Sequence, residues 1–123
     1  MSDDKRKFVR LETLLEVVHR KDSHPSAAIL TLTNNISQGG VCFINYDEIN
    51  NFNVADLISL SLFFPFDADP VKTKGKVSWI KNHAKISQDD KDKYEMGIEF
   101  IEIQEIDKKK IEQYIKEKLN SKT

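Results

Sequence analysis

Val71-Lys72-Thr73-Lys74-Gly75-Lys76-Val77-Ser78-Trp79 is the stretch whose reading decides the fold class. Val71, Thr73, Gly75, Val77 and Trp79 alternate with Lys72, Lys74, Lys76 and Ser78. A period of two belongs to an extended strand, whose successive side chains point to opposite faces. One face, Trp79 included, suits a core, and the three lysines on the other suit water. The same period recurs on both sides. Upstream, Ile58, Leu60, Leu62 and Phe64 alternate with Ser59 and Ser61, and Pro65 and Pro70 bracket the turn between the two runs. Downstream, beyond a long charged connection from Lys81 to Lys93, Met96, Ile98 and Phe100 alternate with Glu95, Gly97 and Glu99.

Further out, Ala27 to Thr33 and Val41 to Ile44 read as two more strands, separated by a turn-rich segment from Asn34 to Gly40. Asn45 to Asn53 is rich in asparagine and reads as a loop. Leu11 to Lys21 is ambiguous. Leu11, Leu14, Leu15 and Val18 fit a helical stripe, whereas the β-branched pair Val17-Val18 fits a strand. After Phe100 the period changes. Ile111, Tyr114, Ile115 and Leu119 sit at helical spacing, which predicts a C-terminal helix over about residues 105–120 with Asp107 as its N-cap. Five or six short strands followed by one amphipathic helix predict a mainly β fold: a small antiparallel barrel or sandwich whose open end or face the helix covers. Residues 1–10 are polar and charged and read as a flexible N-terminal arm, with residues 11–123 as the domain.

The chain has 123 residues, which fits one domain able to bury a core without disulfides or metals. Lys plus Arg is 19 and Asp plus Glu is 20, so the formal net charge is -1 and the broad basic footprint of a duplex-binding protein is missing. Cys42 is the single cysteine, so neither an internal disulfide nor a multi-thiolate zinc site is on offer. His19, His24 and His83 have no partner at metal-ligand spacing. No nucleophile elbow, Walker loop or GxGxxG is present, and the carboxylates sit among lysines. The expectation is therefore a non-enzymatic protein with no metal and no cofactor. The most apolar stretch, Leu57 to Phe66, is far shorter than a membrane span, and no secretory signal is legible, which reads as cytoplasmic.

Two short constellations carry the functional signal. The first is Arg6-Lys7-Phe8-Val9-Arg10, an RxxxR spacing in a chain that otherwise uses lysine for nearly all its positive charge. The second is Asn35-Ile36-Ser37-Gln38-Gly39-Gly40, an NxSxxG spacing. Taken together and in this order, they resemble the PilZ domain family, bacterial receptors for cyclic di-GMP, which carries RxxxR in an N-terminal arm and [D/N]xSxxG on a barrel. Gly75-Lys-Val-Ser-Trp79 and Tyr94-Glu-Met-Gly-Ile-Glu-Phe100 resemble the later strands of that family. The resemblance implies a six-stranded antiparallel β-barrel with a C-terminal α-helix, and makes Leu11 to Lys21 a strand. It implies cyclic di-GMP as ligand, held by Arg6, Arg10, Asn35, Ser37 and Gly40, with Lys5, Gly39 and Trp79 as secondary contacts.

The chemistry is consistent with that assignment. Guanine presents O6 and N7 as adjacent acceptors that suit an arginine fork, and guanidinium also binds phosphate through two bonds. Asn35 can accept from the N1–H and N2–H edge through its side-chain carbonyl, less strongly than an aspartate would. Ser37, two residues on, shares its face if the chain is extended there, and Gly40 lets ligand approach the backbone. Binding would order the arm and so signal to a partner protein of the motility, pilus, exopolysaccharide or gene-control machinery. Two rivals stand beside this reading. One is a PilZ-like adaptor that binds no nucleotide. The other is a barrel for RNA or single strands, which the Lys72, Lys74 and Lys76 row supports in charge while supplying no ring on that face.

Overall fold

The computed structural model describes residues 10–23, 28–45, 52–65, 68–83 and 93–120. They form β1 (Leu11–Glu12), β2 (Glu16–Lys21), β3 (Ile29–Ile36), β4 (Gly40–Asn45), β5 (Leu57–Phe63), β6 (Val71–His83), β7 (Lys93–Glu102) and α1 (Glu105–Asn120). Every pairing is antiparallel. β3 pairs with β2, β2 with β5, β5 with β6, β6 with β7, β7 with β4, and β4 with β3 again, which closes a six-stranded barrel. Closure leaves no strand edge bare along the ring. β1 lies in line with β2 on the same side of β3. The mainly β barrel with one C-terminal helix is thus as the alternation and the resemblance implied.

Leu11 to Lys21 is extended, which resolves the ambiguity in its pattern. Val17 and His19 point inward while Leu14 is 72% exposed, so the helical stripe is not used. The strand is interrupted at Thr13–Leu15, and a buried threonine holds the break together. The Thr33 hydroxyl donates to the Thr13 carbonyl at 2.6 Å and accepts from the Leu15 N–H at 2.9 Å. Two backbone groups that the ladder would leave bare are satisfied by one side chain.

Three register irregularities shift the phase of the strands. Between the pairs Thr33↔Phe43 and Asn35↔Cys42, β3 carries one extra residue, Asn34. Ser78 is extra in β6 between Val77↔Ile98 and Trp79↔Gly97, and Ile101 is extra in β7 between Gly75↔Phe100 and Lys74↔Glu102. Each bulge lets the strand change which residues face the core. Trp79 illustrates the effect. The alternation placed it inward with Val77, but the bulge at Ser78 turns it out to 40% exposure, and Ile80 packs on the core in its stead.

Further details of the elements differ from the sequence reading. The turn expected over Asn34 to Gly40 is confined to Ser37–Gly39, because β3 runs on through Asn35 and Ile36 to pair with Cys42 and Val41. The helix begins at Glu105, so Asp107 is not its N-cap. The Gln104 carbonyl accepts from the N–H groups of both Asp107 and Lys108 at 3.0 Å, and Glu105 and Asp107 lie in the first turn, where negative charge favours the helix dipole. β6 and β7 also extend to His83 and from Lys93 into the expected connection, whose middle lies outside the described residues.

The barrel interior holds Val17, Ile36, Phe43, Ile58, Leu62, Val77 and Ile98, all nearly fully buried. α1 adds Ile111, Tyr114 and Ile115 to the same core. Tyr114 meets Phe64 edge-on at 5.0 Å and shares a 3.1 Å hydrogen bond between its hydroxyl and that of Thr13. Burial of Ile111 and Ile115 contributes roughly 1.5–3 kcal/mol each, which fixes the helix against the barrel. Leu119, the last position of the expected stripe, remains 39% exposed.

His19 is fully buried, stacked on Phe43 at 4.5 Å, and neither ring nitrogen has a hydrogen-bond partner among the described residues. Burial lowers its pKa from 6.5 to about 4. The folded state therefore disfavours the protonated ring, so stability present above pH 6.5 falls as pH drops toward 4. Between pH 7.5 and pH 5 this single group should remove roughly 2 kcal/mol. Urea unfolding of wild type and His19→Leu at both pH values isolates the contribution; an equal acid loss in the two proteins would show that His19 is not its source.

Candidate ligand-binding site

The outer wall of β3, β4, β7 and β6 is ordered by register into rows of outward positions. The central row runs Asn35, Cys42, Gly97, Trp79. The next runs Ser37, Gly40, Glu99, Lys76, with the Ser37 N–H donating to the Gly40 carbonyl at 2.9 Å. On the other side, Glu95 stands between Ile44 and Lys81. Cys42, Gly97 and Gly40 are small, so the middle of this wall is a floor. Asn35 and Ser37 stand along one side and the Trp79 indole along the other. The result is an open trough of about 620 Å³.

Arg10 lines the same trough as Asn35, Ser37, Gly39 and Gly40. The reason is β1. Leu11 pairs with Ile36 and Glu12 with Asn35, so the residue before β1 must emerge beside Ser37. The second arginine motif position and the whole NxSxxG segment are thereby brought together from opposite ends of a 25-residue separation in the sequence. Arg6 and Lys5 lie outside the described residues. Lys108, from the first turns of α1, also lines the trough, as do Ser78, Glu95 and Glu99. Sequence reasoning did not single these out. Lys108 had no local signal, and Glu95 and Glu99 resembled ordinary strand-surface residues.

The motif residues also hold the fold. The Ser37 hydroxyl accepts from the Gly39 N–H at 3.1 Å and so shapes the Ser37–Gly39 turn between β3 and β4. Gly40 was expected to admit ligand to the backbone, but the tighter constraint is internal. A Cβ there would lie 2.2 Å from the Ile98 carbonyl oxygen, so β4 approaches β7 only because this position is glycine. Gly97 leaves room for the indole above it, since a Cβ would lie 2.0 Å from Trp79 Nε1, but here the opposing atoms are side chain and not backbone. Gln38, at the tip of the turn, hydrogen-bonds Glu112 on α1. The Lys116 ammonium first, and then the Gln38 amide, hold the Glu112 carboxyl below the usual carboxylate range.

Cys42 on the floor donates weakly to Glu95 Oε2 at 3.4 Å. Burial first, and then Glu95, push its thiol up to about 12, against an opposing pull from Arg10. It is therefore a neutral thiol at physiological pH and not a nucleophile. Among the described residues no group of His, Cys, Asp and Glu could hold a metal ion, and no helix is long and apolar enough to cross a membrane.

The sequence model of the PilZ domain matches residues 4–117. The chain belongs to the PilZ domain family. Among solved structures it is similar to MotI/DgrA, the inhibitor of motility of Bacillus subtilis, at 26% identity and a TM-score of 0.77, covering 98% of this chain and 54% of that one. MrkH of K. pneumonia in its apo state aligns at 15% identity and a TM-score of 0.75, covering 100% and 55%. The PilZ domain of YcgR from Escherichia coli, solved with c-di-GMP, aligns at 7% identity and a TM-score of 0.69, covering 91% and 89%. The last two likenesses show the fold alone. The chain spans about half the length of MotI and of MrkH. No curated protein sequence matches it.

The PilZ glycines separate structural from ligand roles. Gly40→Ala should lower unliganded stability by about 3 kcal/mol or more, because the opposing atom is backbone and cannot move aside. Gly97→Ala should cost less, since the exposed indole can swing, and should instead shift the fluorescence of Trp79, the only tryptophan in the chain. A Gly40→Ala protein that melts within about a degree of wild type would refute the close-approach account.

Proposed function

We propose that this PilZ domain is a receptor for cyclic di-GMP that binds in the trough between the NxSxxG turn and Trp79 and signals to a partner protein. The observation that carries the reading is the convergence of Arg10 with Asn35, Ser37 and Gly40 on one cavity. A guanidinium there can fork onto a guanine edge or a phosphate, and Lys108 adds a second cation for the dianion. The indole of Trp79 offers a face on which a purine can stack. Residues 1–10, with Arg6 and Lys5, act as the arm that folds over the ligand. Gly39 contributes its backbone at the turn.

The route to a partner has two parts in this reading. Ordering of the arm alters the surface beside β1, and the turn that meets ligand is tied by Gln38 to Glu112 on α1. MotI is described as an inhibitor of motility and MrkH as a c-di-GMP-dependent transcription regulatory factor. A partner in either kind of machinery is compatible with this chain. One observation favours the adaptor rival, in which no nucleotide binds: Ser37 and Gly40 both have work in the unliganded fold. Arg10 has no such part in the core, so it decides between the two.

Calorimetry with cyclic di-GMP, cyclic di-AMP and GTP should show a clear preference for the first, accompanied by a change in Trp79 emission. Each bidentate arginine contact is worth about 1–3 kcal/mol, so Arg10→Ala should weaken binding by about tenfold or more while leaving unliganded unfolding unchanged. Wild-type affinity in that variant would remove the clamp from the account. Failure of the wild type to bind any of the three would leave the adaptor reading.

A further inference from the structure

Two carboxylates line a cavity that the reading above assigns to a dianion. Glu95 and Glu99 lie two residues either side of Gly97 on β7, so both face outward into the trough. Against phosphate alone they are a penalty, and their presence asks for a donor on the ligand. Glu95 is already engaged, since its Oε2 accepts from the Cys42 thiol. Glu99 is exposed, and no side chain among the described residues pairs with its carboxylate.

The position of Glu99 is set by the motif itself. It pairs in register with Gly40, and the next residue, Phe100, donates its N–H to the Gly39 carbonyl at 2.9 Å. β7 is therefore stitched to the turn where Arg10 emerges. Asn35 stands on β3 and Glu99 on β7, in adjacent rows of the wall with β4 between them.

We propose that Glu99 is a specificity-determining residue that reads the Watson–Crick edge of guanine. The inference rests on the trough being the cyclic dinucleotide site. Guanine presents N1–H and N2–H side by side, and the two oxygens of one carboxylate accept both. Adenine presents an acceptor at N1 and no amino group at C2, so the same carboxylate repels it. Charge-assisted bonds of this kind are roughly twice as strong as neutral ones, which distinguishes Glu99 from the amide of Asn35. Arg10 and Lys108 then serve the phosphates and Glu99 serves a base, so the two carry opposite charge for different parts of one ligand.

The test compares wild type, Glu99→Gln and Glu99→Ala against cyclic di-GMP and cyclic di-AMP, by calorimetry and by Trp79 fluorescence. Glu99 is on the surface, so unliganded melting should not change. Both variants should lose preference for the guanine ligand by about tenfold or more, chiefly through weaker cyclic di-GMP binding. A Glu99→Gln protein with the full wild-type preference overturns the proposal while leaving the site intact. Tighter cyclic di-GMP binding by Glu99→Ala overturns it too, since the carboxylate would then only repel phosphate. If wild type binds neither nucleotide, the assignment of the trough fails, and the role of Glu99 fails with it.

Discussion

The site depends on a change of phase in one strand. β3 enters with Thr33 facing the core and leaves with Ile36 facing the core, three residues later, where strict alternation would require an even step. Asn34 is the extra residue. The buried Thr33 hydroxyl makes the irregularity tolerable, because it satisfies Thr13 and Leu15 across the matching break in the neighbouring strand. An unpaired backbone group at either place would cost roughly 1–3 kcal/mol. With the phase shifted, Asn35 and Ser37 look outward together. With β1 registered on Asn35 and Ile36, Arg10 arrives beside them.

The trough is made of what the barrel can omit. Its floor is Gly40, Cys42 and Gly97, where larger side chains would either clash with backbone or displace an indole. Its far wall exists because a second bulge, at Ser78, expels Trp79 from the core that its alternation suited. The site and the fold therefore share residues. Ser37 shapes a turn, Gly40 permits a close strand approach, and both border the cavity. Among the residues that line the cavity, Ser37 and Gly40 serve the fold as well, whereas Arg10 and Glu99 are exposed on its wall.

The helix closes the barrel and touches the site twice. Lys108 reaches the trough from its first turns, and Glu112 holds the tip of the β3–β4 turn through Gln38. Tyr114 ties the same helix to Thr13 in the break between β1 and β2. β1, the β3–β4 turn and α1 are thus tied together around one break.

The two-residue period from Val71 to Val77, and its recurrence at Ile58 and Met96, determined a β fold, because alternation is a local consequence of the pleat. The shift to helical spacing after Phe100 determined the terminal helix to within its cap. The two motif spacings, RxxxR and NxSxxG, were likewise legible, since each is local in the chain. Bulges are not local in this sense. Whether Ser78 or Asn34 is extra depends on which partner residue it faces, so the outward turn of Trp79 and the confinement of the turn to Ser37–Gly39 needed the register. The strand state of Leu11 to Lys21 was decided by pairing with β3 and β5, against a helical stripe of equal quality. Glu99 and Lys108 are two charges among the 39 in the sequence, and only closure of the barrel and docking of α1 put them in the cavity with Arg10.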